Sequence, residues 1–231
     1  MKITKKSKRF QKLTKNFNSN NLYSLTEALT WLKNNVKLNF NPSVSLILNL
    51  NLNKKNSILL RGNLNLPFFN GQKKVVLALT KTQVKQAQEA NADYVGAEDL
   101  ITKIEKEKWL KYDLIVATKE MLPLLGKVAR IIGPKNLMPS LKNGTISSNL
   151  KQTITDIKTS KVFYRQDKFG ILNFTIGKLD FELDKLLANL KFVINQVQKL
   201  KPSTHKGIFI KDIFVHATMA KALKINKNNL Q

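Results

Sequence analysis

The chain has 231 residues, 42% of them apolar, and a formal net charge of +25 from 40 Lys and Arg against 15 Asp and Glu. That apolar content excludes a disordered tail, and the length suits one large domain or two modest ones. With no cysteine there are no disulfides, thiolate zinc sites or cysteine nucleophiles, and two histidines are too few for a histidine metal cage without carboxylates.

The start is basic, with Lys2, Lys5, Lys6, Lys8, Arg9, Lys12 and Lys15. It reads as a phosphate-contacting arm, the alternatives being a solvated terminus or a transit peptide. The single arginine and the lack of an apolar face speak against the last. Residues 22–38 read as a helix: Ser24 and Glu27 have the spacing of a capping box, and Leu25, Ala28, Leu29 and Leu32 share one face. Two strand-like runs follow, Ser43 to Leu52 and Ile58 to Leu66. Asn53-Lys54-Lys55-Asn56 between them predicts a hairpin with a basic tip.

From about Lys73 the pattern becomes strand–helix alternation. Val75 to Leu79 and Leu114 to Ala117 are continuous apolar runs, as in strands buried on both faces. Helices are expected over Gln83 to Ala90, through Leu100 and Ile104, and through Met121 to Ile131, with a short strand at Tyr94-Val95. This order argues for a small parallel α/β domain. Gly133-Pro134-Lys135-Asn136-Leu137-Met138-Pro139 then makes a shaped loop that neither helix nor strand runs through.

After Asn149 the rhythm changes. Val162 to Tyr164 and Ile171 to Ile176 read as strands across a turn at Asp167-Lys168-Phe169-Gly170. Asp180 is positioned to cap a helix whose Leu183, Leu187, Leu190, Ile194 and Val197 face inward. Lys201-Pro202 ends it, Gly207 to Ala217 is a last strand, and the tail from Lys221 lacks strong patterning. The fold class expected is α/β and α+β in two domains. A discontinuous α+β domain (1–67 and 160–231) would be interrupted by an inserted Rossmann-like α/β domain (68–159).

The charge imbalance opposes compaction unless a polyanion relieves it, nucleic acid first and an anionic membrane surface second. No apolar run approaches the roughly 20 residues of a membrane span. No phosphate-cradling glycine motif and no nucleophile–base–orienter set is visible, so the chain reads as a non-enzyme without cofactor or metal. Arg165 and Lys168 suit phosphate oxygens and Asp167 a base amino group or ribose hydroxyl, the alternative being a surface Arg–Asp pair. Phe40, Ser43 and Ser45 offer a stacking face and hydroxyl donors, or else a core phenylalanine and a turn. Thr218 and Met219 offer a hydroxyl and a soft apolar face, or an ordinary strand end.

Taken in order, these segments resemble the L-one family of large-subunit ribosomal proteins over nearly the whole chain. The resemblance rests on Gly96-x-Glu98-Asp99-Leu100, on Leu125-Gly126 through Gly144-Thr145, and on Tyr164-Arg165-x-Asp167-Lys168-x-Gly170. Ile176-Gly177-Lys178, Lys201-Pro202-Ser203, Lys206-Gly207 and Thr218-Met219 complete it. The chain departs from the family pattern at Pro42, Ser45, Ala220, Phe68-Phe69 and Lys135-Asn136. The resemblance implies a split RNA-binding domain with an inserted Rossmann-like domain. It also implies a mobile stalk on large-subunit rRNA that helps deacylated tRNA leave the exit site. The protein would be a monomer within the ribosome, apart from membranes, with its own mRNA as a further partner. The RNA-binding set it implies is Phe40, Ser43, Ser45, Lys54, Lys55, Arg165, Asp167, Lys168, Thr218 and Met219. The divergence, the basic start and the free use of Asn, Lys and Ile point to an organelle ribosome, a mitochondrion first. A plastid or the cytoplasm of a reduced bacterium is the alternative. The rival functions are a repressor of its own mRNA and a basic membrane-surface protein.

Overall fold

The computed structural model describes residues 11, 21–51, 59–202 and 207–227. In chain order its elements are α1 (Leu25–Asn35), β1 (Ser43–Leu50), β2 (Arg61–Asn65), β3 (Val76–Leu79), α2 (Val84–Glu89), β4 (Tyr94–Gly96), α3 (Glu98–Glu107) and β5 (Leu114–Ala117). They continue with α4 (Leu122–Ile132), α5 (Leu150–Thr159), β6 (Lys161–Arg165), β7 (Ile171–Lys178), α6 (Leu183–Lys199), β8 (Ile210–Ala217) and β9 (Leu223–Lys224). The chain divides into two compact units. The first takes Met1–Leu60, Leu66–Gly71 and Tyr164–Gln231; the second takes Arg61–Asn65 and Gln72–Phe163.

In the first unit the sheet order is β7-β1-β8-β9, and β1 pairs antiparallel with both β7 and β8. Strict alternation on β1 buries Val44, Leu46, Leu48 and Leu50 and leaves Ser43, Ser45, Ile47 and Asn49 half-buried on the other face. Helices α1 and α6 add buried residues of their own: Leu25, Ala28, Leu29 and Leu32 from one, Leu186, Leu190, Val193, Ile194 and Val197 from the other. The capping box at the α1 entry is complete, with Glu27 N–H donating to Ser24 Oγ and Ser24 N–H to Glu27 Oε2 at 2.9 Å. At the start of α6 the cap is Glu182 and makes no side-chain cap bond, so Asp180 is not the cap. The face of α6 is also turned from the one expected, with Leu183 and Leu187 half-buried and Leu186, Asn189 and Val193 inside.

The expected hairpin between the first two strands does not form, because β1 uses both of its edges on β7 and β8. β2 pairs with β6 instead, in a two-stranded sheet. β6 and β7 are likewise joined by the 167–170 turn without being partners. The expected basic tip, with Lys54 and Lys55, lies outside the described residues.

The second unit holds the parallel sheet β4-β3-β5. All four β3 residues are buried. Leu77 and Leu79 face one core with Ile101 and Ile104 of α3 and Leu125 and Val128 of α4. Val76 and Ala78 face another with Ala87 of α2 and Leu150, Ile154 and Ile157 of α5. Helices on both faces explain why the strands read as unbroken apolar runs. Helix α5 has no counterpart in the sequence reading. Asn149 caps it by accepting from Gln152 N–H, and Thr153, Thr155 and Thr159 donate their hydroxyls to carbonyls four residues back. The Gly133–Pro139 loop follows α4 without regular structure, and Leu137 and Met138 pack on the α3–α4 core.

Candidate nucleic-acid interface

Of the polar groups that sequence analysis singled out, Ser43 and Ser45 lie on the open face of the first unit's sheet. Across β7, β1 and β8 its rungs are Thr175–Ser45–His216, Asn173–Ile47–Phe214 and Ile171–Asn49–Asp212. These side chains are half-buried, and Asn173 is exposed. Hydroxyls, amides, an imidazole and one aromatic ring thus share a pleated surface, a set suited to ribose hydroxyls, base edges and stacked bases.

A bulge shapes one end. Val44 lies opposite Gly177 but Ser45 lies opposite Thr175, so β7 holds one extra residue there. The extra residue returns Lys178 to the open face, where strict alternation would have buried it. Its Nζ donates to Ser43 Oγ at 3.0 Å. Gly177 is fixed by packing: a Cβ at that position would meet Leu186 Cδ2 at 2.7 Å.

At the same end, Ser43 and Thr218 are tied together. Thr218 N–H donates to Ser43 O at 3.0 Å, Ser43 N–H donates to Thr218 Oγ1 at 3.2 Å, and the Thr218 hydroxyl donates to Ser43 O at 3.3 Å. Met219 follows in the left-handed region at φ 61°, 62% exposed, and Phe40 is 49% exposed, so neither is a core side chain.

The Asp167 turn lies at the other end of β1, where Leu50 N–H donates to Gly170 O. The seven steps along this eight-residue strand, at ~3.3 Å each, separate the two ends by about 23 Å. The structure therefore places Phe40, Ser43, Thr218 and Met219 at one end of β1 and the turn with Asp167 and Lys168, preceded by Arg165 at the end of β6, at the other, with Ser45 on the face between. Asp167 Oδ1 accepts from Phe169 N–H at 2.9 Å and Ile171 N–H at 2.7 Å, so this carboxylate first holds the turn. Arg165 and Lys168 are exposed, and Phe169 projects from the turn tip at 83% exposure. Lys178, Thr175, Asn173, His216 and Phe214 were not in the expected set. The alternation of β7 and β8 could have found all but Lys178, whose facing depends on the bulge.

A family model described as "Ribosomal protein L1p/L10e family" matches residues 32–221. The chain belongs to this family. Its relatives include the large ribosomal subunit protein uL1 of Mycoplasma mycoides subsp. mycoides SC, 41% identical over 96% of this chain and 99% of that protein. The protein of the same name from onion yellows phytoplasma is 42% identical over 96% of this chain and 97% of its own length. That of Persephonella marina is 38% identical over 97% and 95%. These relatives are bacterial, so they give no support to the mitochondrial origin expected from composition. They fit the bacterial alternative.

Proposed function

We propose that this chain is a structural constituent of the large ribosomal subunit that binds large-subunit rRNA through the open sheet face of its first unit. Family membership along nearly the full length supports this reading, and the clustered Ser43, Thr218, Lys178 and Met219 supply the surface it needs. Lysines and arginines neutralise phosphates, while the hydroxyls and exposed apolar side chains of the face fit one folded RNA shape. In this reading Phe40, Ser43, Ser45, Thr218 and Met219 contact the RNA at one end of the sheet. Arg165, Asp167 and Lys168 contact it at the other, and Lys54 and Lys55 add phosphate contacts. The first unit is the RNA-binding domain and the second is the inserted Rossmann-like one. The assembly acts as a mobile stalk that helps deacylated tRNA leave, in a bacterial cytoplasm.

Filter binding against the large-subunit rRNA of its own organism tests this. The expected result is preference over unrelated duplex and a loss of about a thousandfold in affinity over a modest salt increase. Equal affinity for both RNAs, or a flat salt dependence, would refute it. Mass spectrometry of purified large subunits separates the stalk role from repression of its own mRNA, since a protein acting mainly as a repressor would be missing from them.

A further inference from the structure

The ladder between β1 and β8 is irregular at its Asp167 end. Asn49 lies opposite Asp212 but Leu50 lies opposite Ile210, so β8 carries Lys211 as an extra residue. The bulge returns Ile210 to the buried side of the sheet, which it shares with Ile213, the partner of Leu48. Between these strand residues and the last turns of α6 lies an open cavity of about 550 Å³. Ile210 and Ile213 line it from the strand, and Asn195 and Gln198 line it from the helix. Ile208, 70% exposed, extends its apolar wall.

Asn195 and Gln198 are three residues apart, so their amides are neighbours on the helix surface. Neither side chain bonds to a described residue. Two cations, Lys201 and Lys227, also line the cavity. Lys201 Nζ donates to Gly207 O at 2.8 Å and keeps two further N–H groups. Lys227 is exposed and has no ion pair to a described residue. No acid is among the lining residues. The cavity therefore offers positive charge, a pair of amides and an apolar wall together. It also adjoins the turn assigned above to RNA: Leu50 N–H donates to Gly170 O, and the next residue, Asn51, donates its N–H to Phe209 O at 2.8 Å, Phe209 being a lining residue.

We propose that this cavity holds one unstacked nucleotide of the bound RNA, with its base edge on Asn195 and Gln198, its phosphate at Lys201 and Lys227, and its sugar against Ile208. The inference rests on the RNA-binding reading above and extends that interface round the sheet end to the helix side. Amides both donate to and accept from base edges, and lysines neutralise phosphate. A free nucleotide shares this chemistry. Adjacency to the Asp167 turn favours RNA, because a strand passing that turn reaches the cavity without leaving the protein surface.

The test measures rRNA affinity for Gln198→Glu and Lys227→Met, both at exposed positions. Gln198→Glu sets a carboxylate of nearly the same size against the phosphate, and its affinity is expected to fall about tenfold or more. Lys227→Met is expected to flatten the slope of log affinity against log salt by about one. Thermal melts without RNA are expected to match wild type for both. Gln152→Glu, exposed on α5 of the second unit, makes the same charge change elsewhere and is expected to keep wild-type affinity. Wild-type affinity and slope in both cavity variants would overturn the proposal. So would an equal loss in Gln152→Glu, which would make the effect one of net charge. Adenosine 5′-monophosphate is titrated in parallel while the Ile208 and Ile213 methyl groups are followed by NMR. Methyl shifts that Gln198→Glu abolishes, with rRNA binding unaffected, overturn the RNA assignment in favour of a free nucleotide. Weakened rRNA binding in the cavity variants supports the proposal whether or not the mononucleotide binds alone. If wild type binds rRNA no better than unrelated duplex, the broader functional reading fails instead, so the two failures are distinguishable.

Discussion

The side chain of Asn189 takes both backbone groups of Phe68. Its Oδ1 accepts from Phe68 N–H at 3.1 Å and its Nδ2 donates to Phe68 O at 3.2 Å, with a further bond to Ile176 O at 2.9 Å. Asn189 is 1% exposed, in the middle of α6. One buried amide thus pairs both backbone groups of Phe68, within the irregular stretch Leu66–Gly71, and joins them to the Ile176 carbonyl of β7. Asn189→Leu strands the Phe68 N–H and O and the Ile176 O together. Urea denaturation is expected to show a loss of about 1–3 kcal/mol or more. A midpoint unchanged from wild type would mean that water replaces the amide.

Thr218→Val removes the hydroxyl that accepts from Ser43 N–H and donates to Ser43 O. The Thr218 N–H bond to Ser43 O remains, so the strand end stays in register. The expected stability loss is about 1 kcal/mol. RNA affinity in a filter-binding assay should fall well beyond what that loss explains. An unchanged affinity would remove Thr218 from the interface.

At the opposite end of β1, Asp167→Asn keeps an Oδ1 acceptor for the Phe169 and Ile171 N–H groups, and Asp167→Ala does not. If the residue serves RNA through the turn it shapes, alanine weakens binding and asparagine restores most of it. If the charge itself contacts RNA, both variants bind equally poorly. Affinity measured side by side at one salt concentration decides.

Tyr112 gives an alkaline prediction. Its hydroxyl is buried without a partner, and burial pushes its pKa up to about 12. A folded-state pKa above the unfolded value of about 10 means the folded form resists losing the proton. The resulting stability is full below pH ~10 and is lost as pH rises through about 12. Tyr112→Phe should match or exceed wild type at pH 7, because an unsatisfied hydroxyl is removed. It should also lose less stability than wild type over that alkaline window, measured by thermal melts.

The acid side has its own test. Glu27 accepts hydrogen bonds from the Ser24 backbone and then its side chain, which lower its pKa. A depressed carboxylate pKa contributes stability that is full above the unfolded value near 4.5 and is lost as pH falls through the folded one. Glu27→Gln keeps a box-forming side chain but not the charge, so its α1 stability should be flatter below pH 4.5. Parallel acid titrations followed by circular dichroism check this.

Much of the fold could be read from side-chain spacing. The α1 face, the β1 alternation and the unbroken β3 and β5 runs each report burial directly, because burial is what selects their apolar residues. Helix α5 could not be read so easily. Its three threonines and its lysines hide a face of Leu150, Ile154 and Ile157 that becomes clear only when packed against β3. Strand pairing was misjudged where nearness in sequence stood in for contact, since β1 has its partners far along the chain. Of the interface, the residue types at Ser43, Thr218 and Asp167 were legible. The link between Ser43 and Thr218 and the facing of Lys178 depend on register and on a bulge, and single-sequence patterns carry neither.

The central position of β1 has a consequence for synthesis. The strand emerges with Ser43–Leu50, yet both hydrogen-bonding edges wait for Ile171–Lys178 and Ile210–Ala217. The segment Gln72–Phe163, which carries its own parallel sheet and two apolar cores, is complete before either partner leaves the ribosome. During translation β1 is an apolar ribbon with both edges bare, and the nascent chain must keep it from pairing with strangers until its C-terminal third arrives.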